Sequence, residues 1–217
     1  MAKKKGRNPN NVLFLEALLM ALFIFGIGIV MGIFIEDVRS DRVTEGYFDS
    51  QVNLLDMQTL SDLISTGDYS CEYRREKNID FGNKIYEDAL KFSEYEEAQT
   101  FGDSLESQHR IYDLLRTIFW VNSLELKDDC GEMNIIVYLY NYDEKDAEEK
   151  QKQEVFSRFA GELKSEMGEN TVLIPIAMNL GIESLNVLKE SYGIVKTSII
   201  INEKTVLDSI EDLNEFN

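Results

Sequence analysis

Residue types able to do covalent or acid–base chemistry are few in this chain. Among 217 residues there are two cysteines, Cys71 and Cys130, and one histidine, His109. A zinc site of the usual type needs more nitrogen and sulfur ligands than these. His109 has no serine, cysteine or carboxylate at a spacing diagnostic of catalysis, so it reads as a helix-surface or hairpin-interface residue rather than a general base. Asp143, Asp146, Glu148 and Glu149 form the densest acidic group. Their spacing lacks the central glycine and terminal ligand of a calcium-binding EF-hand, and acids at a helix N-terminus are expected from the helix dipole alone. No nucleophile elbow, phosphate-binding loop or dinucleotide fingerprint occurs. The sequence therefore predicts no catalytic residue, no cofactor and no metal. The two thiols remain, and their meaning depends on the elements that carry them.

The first of those elements is apolar. Residues 12–35 contain one charge, Glu16, and at about 1.5 Å per residue a helix of this length covers a hydrocarbon core of about 30 Å. A cleaved signal would have a shorter apolar region ending in a small-x-small site, whereas this one runs into Glu36 and Asp37. The expectation is an uncleaved transmembrane helix. Lys3, Lys4, Lys5 and Arg7 precede it, while the portion from Glu36 onward holds 18 basic against 39 acidic residues, a balance of −21. By the positive-inside rule the tail of residues 1–11 is cytoplasmic and the acidic remainder lies outside the cell membrane. Such an acidic chain is a poor partner for nucleic acid, which binds through phosphate neutralisation. Gly28 and Gly32 form a GxxxG pair, a candidate packing face for a homodimer within the bilayer.

Residues 36–68 show apolar positions at helical spacing and read as a membrane-proximal helix ending at Ser65-Thr66-Gly67-Asp68. Two longer amphipathic patterns fill residues 69–130. The first runs from about Cys71 to Glu97. The second runs from Asp103, which forms a capping box with Glu106, to about Lys127, with Trp120 read as core. The short break at Phe101-Gly102 predicts an antiparallel αα-hairpin. Cys71 and Cys130 lie almost equally far from that tip, so the hairpin brings them together at its open end, in a compartment that permits oxidation. A Cys71–Cys130 disulfide is expected.

After Gly131 the periodicity changes. Strands are predicted over 134–140, 171–177, 198–201 and 204–207, and helices over 146–167 and 184–192 and from Asp208, in the order β-α-β-α-β-β-α. Val155, Phe156, Phe159 and Leu163 are expected to face the core. The turn at Asn202-Glu203 reads as a hairpin.

That order, together with Tyr192-Gly193-Ile194, the strand Ser198-Ile199-Ile200-Ile201 and the turn Asn202-Glu203-Lys204, resembles a minimal thioredoxin fold over about residues 133–217. The resemblance implies a mixed sheet in which strand 171–177 is an edge, a place where Pro175 is tolerated. It also implies where a redox site would be. The family's Cys-x-x-Cys falls on Asp146 and Glu149, and its cis-proline on Thr197 or Ser198, so neither part of that site is kept. The expected chain is α/β: an N-terminal transmembrane helix, an antiparallel αα-hairpin and a minimal thioredoxin-like domain over 131–217 without dithiol chemistry. Its expected function is a single-pass, membrane-anchored extracytoplasmic binding or scaffolding protein, with the lipid bilayer and an unidentified protein as partners. The alternatives are a thiol–disulfide accessory protein using Cys71 and Cys130, and a helix-mediated membrane assembly component.

Overall fold

The computed structural model describes residues 9–96, 102–131 and 133–216. Six helices and four strands occur among them: α1 (Pro9–Thr66), α2 (Cys71–Glu96), α3 (Gly102–Cys130), β1 (Asn134–Tyr140), α4 (Ala147–Met167), β2 (Thr171–Ala177), α5 (Glu183–Tyr192), β3 (Ser198–Ile201), β4 (Thr205–Leu207) and α6 (Ile210–Phe216). The chain divides into two units, Met1–Phe48 and Asp49–Asn217. Residues 97–101, which include the expected hairpin tip at Phe101, and residues 1–8 of the tail expected to be cytoplasmic lie outside the described residues.

In the first unit, Leu13–Val38 is long and apolar enough to cross a membrane, and none of it is buried. Space around Gly28 and Gly32 is open, with nothing within 4 Å of a Cβ placed there. The apolar segment and the membrane-proximal segment, expected as separate elements, belong to one helix. No proline follows Pro9 until Pro175, so nothing removes an i→i−4 hydrogen bond along α1.

The second unit is built on a mixed sheet of order β2-β1-β3-β4. β1 pairs parallel with β2, and β3 is antiparallel to both β1 and β4. The period-2 alternation of strand side chains gives the sheet two apolar faces. Ile135, Val137, Leu139, Ile174, Ile176 and Ile200 project to one face, against Met57 of α1, the α2–α3 pair and Leu185 of α5. Ile136, Tyr138, Ile199 and Ile201 project to the other, against Phe156, Phe159, Ala160 and Leu163 of α4 and Leu213 of α6. Being covered on both sides, β1 is apolar throughout its interior. Val155 departs from expectation: at 39% exposed it faces outward, because Phe156 takes the inward position on α4.

Turn chemistry fits the topology. Asn202 and Glu203 adopt φ of 50° and 63°, the left-handed pair that a tight β3–β4 hairpin requires. The Asn202 side chain accepts from the Ile135 N–H at 3.0 Å and from Lys127 Nζ at 3.1 Å, tying the hairpin turn to β1 and α3. At the end of α5, Gly193 has φ 68° and donates to Glu190 O, while Ile194 N–H donates to Lys189 O, an arrangement that closes the helix's last carbonyls.

Candidate functional site

Of Asp146, Glu149, Thr197 and Ser198, the positions singled out in the sequence, the side chains of Asp146 and Ser198 make local hydrogen bonds. Asp146 is the N-cap of α4, and its Oδ1 accepts the N–H groups of Glu148 at 2.9 Å and Glu149 at 3.0 Å. Thr197 and Ser198 are buried, and Ser198 Oγ donates to Lys196 O at 2.7 Å. Among the described residues no hydrogen bond or ion pair joins Asp146 or Glu149 to Thr197 or Ser198, and no group of histidine, cysteine and carboxylate residues is arranged to hold a metal ion.

Cys71 and Cys130 form a disulfide, with Cα atoms 5.6 Å apart at the open end of the α2–α3 pair. Arg74, one turn after Cys71, and Asp129, next to Cys130, pair at 2.8 Å. Further along, Asn78 Nδ2 donates to Ser123 Oγ at 3.0 Å, and Phe119 packs where Gly82 leaves room: a Cβ at Gly82 would stand 2.7 Å from the Phe119 ring. Trp120 is fully buried and stacks on Tyr192 of α5, with ring centroids 5.5 Å apart, joining the helical pair to the sheet domain. His109 lies against the ring of Tyr142, centroids 4.2 Å apart, in the loop after β1.

The residue that sequence reasoning missed is Asp113. It lies on α3, is fully buried, and pairs with Arg116 at 3.0 Å. The backbone N–H of Ala177, at the end of β2, faces the carboxylate and favours its charge. Burial outweighs these partners and pushes the carboxyl above the ordinary range.

This contact explains the state of the β2 edge. Asn134 N–H donates to Asn170 O, and Met178 N–H donates to Tyr140 O, so even-numbered residues of β2 direct their backbone groups at β1. Odd-numbered residues direct theirs away from the sheet. Of these, Thr171 N–H is taken by Gly168 O at 3.2 Å, Pro175 has no N–H, and Ala177 N–H faces Asp113. Leu173 is left as the one outward N–H of β2 with no partner among the described residues. Pro175 and Asp113 thus close one end of an edge that would otherwise invite further pairing.

The open end borders a groove of about 450 Å³. Ile79, Gly82, Asn83 and Tyr86 of α2 form one wall, Phe119 its floor, and Lys164, Glu169 and Thr171–Leu173 the other side. Thr171 is buried, and its Oγ1 has no hydrogen-bond partner. The groove offers main-chain hydrogen bonding, an aromatic floor and polar rims. No protein-family model, no curated protein and no solved structure matches this chain. Its chemistry must therefore be read from these residues.

Three carboxyl groups give the unit a pH signature of mixed sign. Glu144 accepts the N–H groups of Asp146 and Lys145 and the Asn141 amide, and the bond from Asp146, foremost, holds its carboxyl below the usual range. Asp212 is held low in the same way, first by the N–H of Asp208 and then by Ser209. Both contribute stability that is present above the ordinary carboxylate pKa of roughly 4 and is lost as pH falls through their lowered values. Asp113 has the reverse sign: the folded state holds its proton more tightly, so its ionisation costs stability as pH rises from the ordinary value through its own raised one. Carboxyl ¹³C titration is expected to place the Asp113 midpoint above, and those of Glu144 and Asp212 below, their free-residue values.

Proposed function

We propose that this chain is a single-pass membrane protein that displays a redox-inactive, thioredoxin-like binding module outside the cytoplasm. The observation that carries the reading is the use of Asp146 as the N-cap of α4, at the start of the first helix of a sheet ordered β2-β1-β3-β4. A thioredoxin places an attacking thiol at that helix start, where backbone N–H groups favour a thiolate. Here the same N–H groups are occupied by a carboxylate, and both cysteines are tied up elsewhere. The apolar helix of residues 13–38, with Lys3, Lys4, Lys5 and Arg7 before it and the acidic excess after it, supports the anchor and its orientation. What remains is a folded surface held near a membrane, suited to binding. The purified protein is expected to leave the rate of insulin disulfide reduction by dithiothreitol unchanged; catalysis at stoichiometries below one would overturn the reading.

A second reading, disulfide exchange with a partner through Cys71 and Cys130, is favoured by the exposure of Cys71 in the first turn of α2. A reduction potential below about −300 mV would mark the bond as structural and dispose of that reading.

A further inference from the structure

We propose that the groove beside the free edge of β2 binds an extended, basic peptide segment, which adds as a fifth strand to the sheet. This deepens the binding-module reading and rests on it. Three independent features of the groove select that occupant.

The first is main-chain chemistry. The Leu173 N–H has no partner, and by the alternation of the strand the carbonyls of Thr171 and Leu173 point the same way. An extended backbone supplies donors and acceptors at that spacing, which is how peptides add to sheet edges elsewhere. Pro175 lacks the next donor and the one after it faces Asp113, so pairing is confined to the stretch the groove borders.

The second is shape. The edge is reached through a groove walled by α2 and floored by Phe119, with room for a few residues of extended chain. Thr171 lines the groove, and its buried Oγ1 has no hydrogen-bond partner.

The third is charge. Going round α2 from Asn83, which lines the groove, the next stripe at helical spacing is Glu76, Asp80 and Glu87. Lys77 pairs with Glu76 at 3.4 Å and with Asp80 at 3.0 Å, leaving the lip acidic on balance, while on the opposite side Lys164 and Glu169 offset each other. Side chains of an added strand alternate between the α2–α3 face, where Phe119 and this lip lie, and the α4 face, where Lys164 lies, so a basic residue at every second position, with its stem on Phe119 and its charge at the lip, alternating with apolar residues, is the complementary pattern.

The test uses the full chain in lipid nanodiscs with a capped peptide of alternating lysine and valine, a matched glutamate–valine peptide, and the lysine–valine peptide interrupted by proline. Amide exchange at Leu173 is expected to slow by about tenfold or more with the lysine–valine peptide and to stay unchanged with the other two. Leu173→Pro removes the donor without touching the bonds to β1 and is expected to weaken binding by about tenfold. Because that variant also alters packing, Glu87→Lys provides a second readout on an exposed residue: it should weaken the lysine peptide and strengthen the glutamate one. Unchanged exchange at Leu173 under saturating lysine–valine peptide, or equal binding of all three peptides, would overturn the proposal. A partner crosslinked at another surface alongside unchanged Leu173 exchange would overturn the groove assignment while leaving the binding-module reading in place.

Discussion

Replacing both Cys71 and Cys130 by serine is expected to lower the unfolding free energy of the domain by about 4 kcal/mol, from the chain entropy of a closed loop of this size. The loop spans a sequence separation of 59 and contains nearly all of α2 and α3. The effect is large because the bond removes chain entropy from the unfolded state over so long a loop. Arg74–Asp129 nearby has an Asp129 side chain half exposed to water, and such pairs contribute roughly 1 kcal/mol or less. Urea denaturation of the double variant should show the shift as a lower midpoint. The same loss should follow when the wild-type chain is unfolded in the presence of reductant. A change below about 1 kcal/mol would mean that the bond removes little entropy from the unfolded chain and would contradict this expectation.

Asp113→Ala is expected to cost about 3–5 kcal/mol, the range for breaking a buried ion pair by removing one partner. The substitution leaves Arg116 without its carboxylate and deprives the Ala177 N–H of the negative charge it faces, so one change weakens both α3 and the end of β2. Asp113→Asn keeps the shape and one acceptor, and should recover a large part of the loss. Its stability should also lack the decline with rising pH that the raised carboxyl of Asp113 imposes. Comparing the two variants by urea titration at several pH values separates loss of charge from loss of packing.

Much of the architecture was legible because it rests on local signals. The β1 run Asn134–Tyr140, the two amphipathic helices and the Asn202-Glu203 turn are each specified by neighbours in sequence, and their bounds move by at most three residues between expectation and structure. The register of the two thiols followed from helix lengths alone. Pro175 marked β2 as an edge, and the strand order agrees. What escaped notice depends on contacts between distant segments. Asp113 sits on α3 between Tyr112 and Leu114, and nothing in the local pattern says that Ala177, far along the chain, waits for its charge. An acid among the apolar residues 111–120 was the available signal, as was the Arg116 one turn on. The groove was likewise hidden, since it forms only when α2 lies beside β2. Val155 and Phe156 are adjacent apolar residues, and only packing decides which of them faces the sheet.

Protease accessibility in sealed membrane vesicles reads out on which side of the bilayer the acidic domain lies. In right-side-out vesicles, added trypsin should digest the domain and leave a protected fragment containing the apolar helix of residues 13–38. In inverted vesicles only the tail bearing Lys3, Lys4, Lys5 and Arg7 should be trimmed, with the rest of the chain intact until detergent is added. Digestion of the domain in inverted vesicles, or release of the whole chain by an alkaline carbonate wash, would contradict the account.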